Sequence, residues 1–423
     1  MKHSIIVYAI CLSIACVACG GGGEGQTVDP RTLWIFETDA GIDFGAPALS
    51  QDEGTVYFGT SYQRSLTEDY GLYALNSTTG VLVWKYNTGD SIVSSVPVVD
   101  SQGSIYFVVD NRPSFSTTVL DELIKVDSMG SFIWSFDLNP SHATFIGKGS
   151  SSPAIGHDGT VYAAGDALYA LSPDRTLKWS AGSSSELFRS SPIVASSGTV
   201  YLGYYNFDLT AFDPTDGGIE WSVPDIPYEY NFGSPAIGQD GTIYLGTDKS
   251  KIHAVNPEGD IDWTYDTSST GYTCNIRSSP AVGPDGTIYF GTSQGSSSPR
   301  FYALNQDGTL KWYFAPDDLP NTLPIENGDF YSSPALAEDG TVYVGHEFGR
   351  VYALDPVDGS VKWKYDTYEA FTGASPALKS DGTLFIGRLY GNFYAIKTDG
   401  GGLNSSSPWP KSRGDSRNMG FAP

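Results

Sequence analysis

Cysteine is scarce in this chain of 423 residues, and the residues that remain after the start are scarcer still: of four, three lie within the first 19 positions and only Cys274 follows. A disulfide framework is therefore excluded, and closure must come from packing and strand pairing. Positive charge is also thin, with 24 Lys and Arg against 48 Asp and Glu and a net charge of −24. Such a field repels nucleic acid and anionic lipid, so neither is expected as a partner, and the acidic surface favours solubility. The five histidines, at 3, 142, 157, 253 and 346, show no metal-ligand spacing. Long apolar runs are missing too. The one such stretch, Ile5 to Val17, is too short to span a bilayer.

That stretch follows the basic start Met1-Lys2-His3 and leads into Ala15-Cys16-Val17-Ala18-Cys19, then Gly20 to Gly23. It reads as a targeting segment. It resembles a bacterial lipoprotein signal, which implies cleavage before Cys19, lipidation of that residue and a glycine-rich tether behind it. The pattern prefers Leu three residues before the cysteine, where this chain has Cys16; Cys16 is the alternative lipidation site, and an ordinary secretory signal is the other reading. The expected organisation is residues 1–18 signal, 19–30 tether and 31–423 one domain, exported and attached to the envelope, at the outer membrane of a Gram-negative cell, through the lipid alone. The four glycines are no phosphate loop, since no Lys-Ser/Thr and no strand-to-helix context follows.

What the sequence has in plenty is a repeat. A small residue before Pro recurs at Pro47, Pro97, Pro153, Pro192, Pro235, Pro280, Pro334 and Pro376, spaced 39 to 56 residues apart. An Asp-Gly turn, a short apolar strand and a tryptophan follow most of them. This is the period of a four-stranded propeller blade. In the fifth repeat, 232–238 reads as an inner strand and Asp240-Gly241 as a hairpin turn. Thr242 to Gly246 and Lys251 to Val255 are the next strands, and Asp260 to Tyr265 is the outer one. The outer tryptophans are Trp84, Trp134, Trp179, Trp221, Trp263, Trp312 and Trp363. The eighth repeat lacks one after Tyr394-Ala395-Ile396, and Thr32-Leu33-Trp34-Ile35-Phe36 supplies it from the other end of the chain. The expected fold is all-β: an eight-bladed propeller of four-stranded antiparallel blades, closed by an N-terminal strand that leaves no open edge. A monomer is expected.

The recurring Ser-Ser-Pro-Ala, Asp-Gly-Thr-Val-Tyr, Leu-Tyr-Ala-Leu-Asn, Gly, Trp resembles the pyrroloquinoline-quinone-type propeller repeat over roughly residues 31 to 400. Trp409-Pro410-Lys411-Ser412-Arg413-Gly414-Asp415 is similar to a terminal segment of such chains. Members of that family include quinone-dependent dehydrogenases, which hold the cofactor in the channel beside a calcium ion bound by Glu, Asn and Asp, often with a disulfide between adjacent cysteines. Here the mature chain has no adjacent cysteines, and the Asp317-Asp318 pair reads as a solvated turn. No catalytic residue, metal or cofactor is expected. Cys274 reads as a loop thiol without chemical duty, and His253 as a packing substitute for tyrosine. Lipid-anchored propellers of this repeat type also serve as scaffolds of the outer-membrane β-barrel assembly machinery. The resemblance thus implies a cell-envelope protein or peptide as partner, with an outer-membrane β-barrel among the candidates.

One asymmetry places the working surface. First-to-second and third-to-fourth turns lie on one face and are short; second-to-third and blade-to-blade connections lie on the other and are long. Long connections carry function more often than short ones. The candidate binding residues on that face are Tyr62, Arg64, Tyr70, Arg112, Arg189, Tyr204, Tyr205, Tyr228, Tyr230, Arg277, Arg300, His346, Arg388 and Tyr390, joined by Phe115, Tyr272 and Phe348. Tyr and Arg offer large contact areas with polar handles. They could equally cap the rim. Arg189 and Arg277 hold the same slot before Ser-Pro, suited to an anion or to local pairing with Glu186. Protein docking is the leading reading, with carbohydrate or small-ligand binding and quinone chemistry as alternatives.

Overall fold

The computed structural model describes residues 29–422, apart from 39, 44, 62–69, 112–119, 141–150, 183–189, 204–208, 224–232, 271–272, 296–298, 317–327 and 368–372. Each proline phrase begins a blade of antiparallel strands paired in sequence order, four in seven blades, while in blade two both Ile92–Val93 and Val98–Val99 pair with Ile105–Asn111. The eighth blade is completed by Thr32–Glu37, which pairs with Asn392–Lys397 in the register Ile35 to Tyr394. The ring is therefore closed by hydrogen bonds between the two ends of the chain, as expected.

Blade five shows why the phrase folds this way. Lys251–Val255 is the third strand as expected, and Ile261–Asp266 is the outer one. The inner strand is only Ala236–Ile237, shorter than the expected 232–238. Pro235 has no N–H to give a ladder, so pairing cannot extend through it. The turn glycine Gly241 has φ 86°, the left-handed conformation a tight Asp-Gly turn demands.

The blades are joined by tryptophan. The indole N–H of Trp84 donates to the Ser128 carbonyl of the next blade at 3.0 Å, Trp179 to Pro214 at 2.9 Å, Trp221 to Pro257 at 2.8 Å and Trp263 to Gln306 at 3.0 Å. Trp34 on the N-terminal strand does the same to Ser77 of blade one, so it stands in for the missing outer tryptophan. The indole also lies flat on the receiving turn. A Cβ on Gly308 would come within 2.6 Å of the Trp263 ring, which with a φ of 80° makes glycine the residue that fits there. In blade three the same slot is Arg175, at φ 81°. Trp363, before the closing blade, is covered by the Arg31 guanidinium 4.4 Å from its ring centroid.

Candidate functional site

The inner strands line the axial channel, and the small residues of the repeat do more there than save space. The backbone N–H of Ser152 donates to Ser191 Oγ of the next blade at 2.9 Å, Ser234 to Ser279 at 2.9 Å, Ser279 to Ser333 at 2.9 Å and Ser333 to Ser375 at 2.9 Å. Val96 N–H and Ser191 N–H join the same relay toward Ser152 and Ser234. The serine before the proline in blades three to eight is thus a blade-to-blade connector. It runs from blade two to blade eight and stops at blade one, where Ala46 stands in its place and the Ser375 N–H turns to the Gly45 carbonyl.

The C-terminal segment, beginning at Gly400, crosses the short-turn end of this channel as a strap. Its carbonyls accept from the inner strands in turn: Leu336 N–H to Pro410, Val282 to Trp409, Leu49 to Ser416, Val99 to Arg417, Ile155 to Met419 and Val194 to Gly420. Its side chains reach further. Arg413 donates to the Pro192 and Pro153 carbonyls at 2.8 and 2.6 Å, and Asn418 Nδ2 to those of Ala46, Pro47 and Pro97 at 3.1 to 3.2 Å. Lys411 Nζ donates to the Ser412 carbonyl and to Asn418 Oδ1. Trp409, Lys411, Arg413 and Asn418 are all fully enclosed. Burial pushes Lys411 down to about 7 and Arg413 to about 9, each drawn back upward by Asp415. The short-turn end is filled by this strap.

On the long-loop side the structure brings together Arg277, Asp329, Tyr331 and Glu347. Glu347 accepts the Asp329 N–H at 3.0 Å. Burial raises the Glu347 carboxyl above its ordinary value, with the Asp329 charge adding to it. Tyr331 is likewise pushed up, first by burial and then by its hydrogen bond to Asp329, while Arg277 opposes the shift. Asp329, Tyr331 and Glu347 carry no repeat signature in the sequence; Asp329 and Tyr331 follow a long connection, and Glu347 lies in the short turn between strands Val342–His346 and Arg350–Leu354.

The expected recognition residues divide sharply. Tyr62, Arg64, Arg112, Arg189, Tyr204, Tyr205, Tyr228 and Tyr230 lie outside the described residues, as do Phe115, Glu186, Tyr272, Asp317 and Asp318. Of the rest, Tyr70, Arg300, His346 and Arg388 are buried, and only Tyr390 is fully surface-exposed, with Arg277 half-buried. The exposed character expected of those four is corrected. Tyr70 lies in the ladder of strand Tyr70–Asn76. The Arg300 guanidinium stacks over Tyr313 at 4.1 Å, and Arg388 donates to the Tyr394 hydroxyl at 3.1 Å. His346 is enclosed by Phe330 and Tyr352 and accepts the Phe348 N–H at 3.3 Å. The buried Arg300, Arg388 and His346 side chains are each tied to a partner inside the fold by those contacts.

Cys274 is not in a loop. It pairs with Gly295 in a short two-stranded sheet and is buried, and burial raises its thiol above the ordinary value, away from nucleophile chemistry. His253 is buried and hydrogen-bonded through Nδ1 to Thr264 Oγ1 at 2.8 Å, a packing position as read from the sequence.

The quinone cofactor that such repeats imply is a planar polyanion beside a hard cation. Two buried cations of the strap are already engaged, Lys411 with the Ser412 carbonyl and Arg413 with the Pro192 and Pro153 carbonyls of the inner strands. Among the described residues no group of three or more His, Cys, Asp or Glu is placed to hold a metal ion. The described channel residues do not fit that cofactor, and no chemistry is derived through it.

No curated protein matches the chain in sequence. Among solved structures, BamB from Moraxella catarrhalis is similar at 16% identity and a TM-score of 0.58, over 87% of this chain and 97% of that one. Quinohemoprotein alcohol dehydrogenase from Comamonas testosteroni is similar at 13% identity and 0.61, over 86% and 75%. The computationally designed Ika8 protein is similar at 12% and 0.58, over 86% and 100%. An enzyme, a BamB and a design share this ring, so these likenesses establish the fold alone. The sequence family described as outer membrane protein assembly factor BamB (PQQ_2) matches residues 119–330 and 298–382, more than half of the chain. With eight repeated blades, tryptophan-joined and closed by the N-terminal strand, this chain belongs to that family.

Proposed function

We propose that this chain is a non-catalytic scaffold of the cell envelope, lipid-anchored at Cys19, that docks a protein or peptide on its long-loop face. The observation that carries the reading is the strap. It fills the short-turn end with the chain's own residues, while half-buried Arg277, Tyr331 and Glu347 lie together on the long-loop side. A surface of that kind, polar and partly desolvated, suits recognition better than turnover of a buried cofactor. Membership in a family described by an outer-membrane assembly factor supports an envelope protein, an outer-membrane β-barrel among them, as the partner. The outer membrane of a Gram-negative cell is the matching location.

The test is crosslinking and capture from the native envelope. The comparison is a variant in which residues 112–119 are replaced by an Asn-Gly turn. Asn111 and Leu120 are directly paired across that hairpin, so the ladder survives the change. A partner captured by the wild type and lost from the variant supports docking. Equal capture by both, or binding of glycans on an array with no protein captured, refutes it.

A further inference from the structure

The pseudo-eightfold repeat allows each blade to serve as the control for the others. The residue just before the outer tryptophan is charged in blades three to seven: Lys178, Glu220, Asp262, Lys311 and Lys362. In three of these blades it reaches across the blade to the aspartate of the first turn, Lys178 to Asp158 at 2.9 Å, Lys311 to Asp285 at 3.1 Å and Lys362 to Asp339 at 3.8 Å. In the three consecutive blades eight, one and two the same position is Leu33, Val83 and Ile133. These are 40%, 56% and 45% exposed. Their turn aspartates find other partners: Asp381 has Lys379, Asp52 has the Ser50 hydroxyl, and Asp100 has the Tyr106 hydroxyl. The apolar residue there is therefore no repair of the turn chemistry.

The neighbouring turns also differ in blades one and two. In blade two the turn that receives Trp84 carries Met129, 75% exposed, where blades three, five and six carry Asp174, Glu258 and Asp307 and blade seven carries Val357, 74% exposed. Phe132 adds to it on the following strand, at a position that is apolar and exposed in blades three, four, six and seven as well. In blade one that turn is Asn76-Ser77-Thr78-Thr79-Gly80, without a charge. Asp127 in blade two is occupied by the N–H groups of Met129 and Ser131. An apolar crescent thus spans blades eight, one and two at the position before the tryptophan, on the rim of the short-turn face, where the other five blades carry a charge.

The chain itself enters at this crescent. The N-terminal strand starts at Thr32, opposite Ile396, at the short-turn edge of blade eight. Asp29, the first described residue, is ten residues after Cys19, a span of at most about 35 Å when extended. The patch is built from aliphatic, Met and Phe side chains, without the Tyr, Trp and Arg anchors of protein hot spots.

We propose that Leu33, Val83, Met129, Phe132 and Ile133 form the surface on which the molecule rests against a neutral lipid bilayer, with the long-loop face turned away toward its partner. This rests on the lipid-anchor reading of Cys19, and the test separates the two. The mature protein is bound to vesicles of phosphatidylethanolamine and phosphatidylcholine, with an environment-sensitive fluorophore on Val83→Cys or, at the equivalent position of blade three, on Lys178→Cys. A blue shift at residue 83 and none at 178 is the expected result. Mass spectrometry of the N-terminus reports whether Cys19 carries lipid. If it does and neither label shifts, the crescent is overturned while the anchor stands. If it does not, the anchor reading fails, and flotation of the unanchored chain decides the crescent. Val83→Glu with Ile133→Glu, the residue blade four already carries as Glu220, is then expected to lower vesicle partition about tenfold. No flotation, or no difference between variant and wild type, overturns the proposal. A crosslinker at residue 83 that captures an envelope protein instead of lipid overturns it as well.

Discussion

Replacing Asn418 with Ala should loosen half of the strap without unfolding the ring. The side chain is fully enclosed, its amide donates to three carbonyls on blades one and two, and its oxygen accepts from Lys411. Removing it leaves those carbonyls short of a donor and the buried Lys411 ammonium short of an acceptor. A net hydrogen bond contributes about 1 kcal/mol and a stranded buried group costs about 1–3 kcal/mol, so the combined loss is about 2–4 kcal/mol. The structure supplies its own reporters. The amides of Leu49, Val99, Ile155 and Val194 donate to strap carbonyls after Lys411, whereas those of Val282 and Leu336 donate to carbonyls before it. Native-state hydrogen exchange should therefore quicken at the first four by about 30- to 700-fold, since 1.4 kcal/mol is a factor of ten. The last two should change much less. Unchanged exchange at all six would show that Asn418 does not hold the strap, and equal acceleration at all six would show that the strap opens as one piece.

Three further outcomes follow from the same geometry. Gly308→Ala places a methyl 2.6 Å from the Trp263 ring at a φ of 80°, and should lower stability by about 2 kcal/mol or more in urea unfolding. Ser279→Ala removes the acceptor of the Ser234 N–H and should cost about 1–3 kcal/mol by the same measurement, whereas a change below about 0.5 kcal/mol would mean that the serine relay carries no stability. The third is a pH dependence at Lys411, whose ordinary value is 10.5 and which burial pushes down to about 7. Between those values the unfolded chain holds a proton that the folded chain does not, so stability rises as pH goes from about 7 to about 10. Arg413 adds in the same direction at higher pH only, from about 9. Lys411→Met should flatten the slope between pH 7 and 9 in thermal melts, and an unaltered slope would assign it to other groups.

Much of the ring was legible because the repeat states it eight times. Each Ser-Pro, Asp-Gly and tryptophan marks a strand or turn by local chemistry, and the absence of a tryptophan in the last repeat pointed to Trp34 at the other end of the chain. The candidate site was far less legible. Tyr70, Arg300, His346 and Arg388 look like recognition residues when only their type and loop are known, yet their surroundings bury them. Whether an arginine meets solvent or a tyrosine ring depends on a neighbouring strand that sequence adjacency does not reveal.

The sequence by itself determined the blade, its strand order, the closure by the N-terminal strand and the small size of the residues at the axis. All of these depend on contacts within one repeat or between like positions of successive repeats. Only the tertiary structure decided that the serine hydroxyls pass from blade to blade, that the C-terminal segment from Gly400 closes the axis, and that three unremarkable apolar residues share one rim. Each of these joins residues tens to hundreds of positions apart. Such contacts leave no local period to read, because they exist only once the ring has closed.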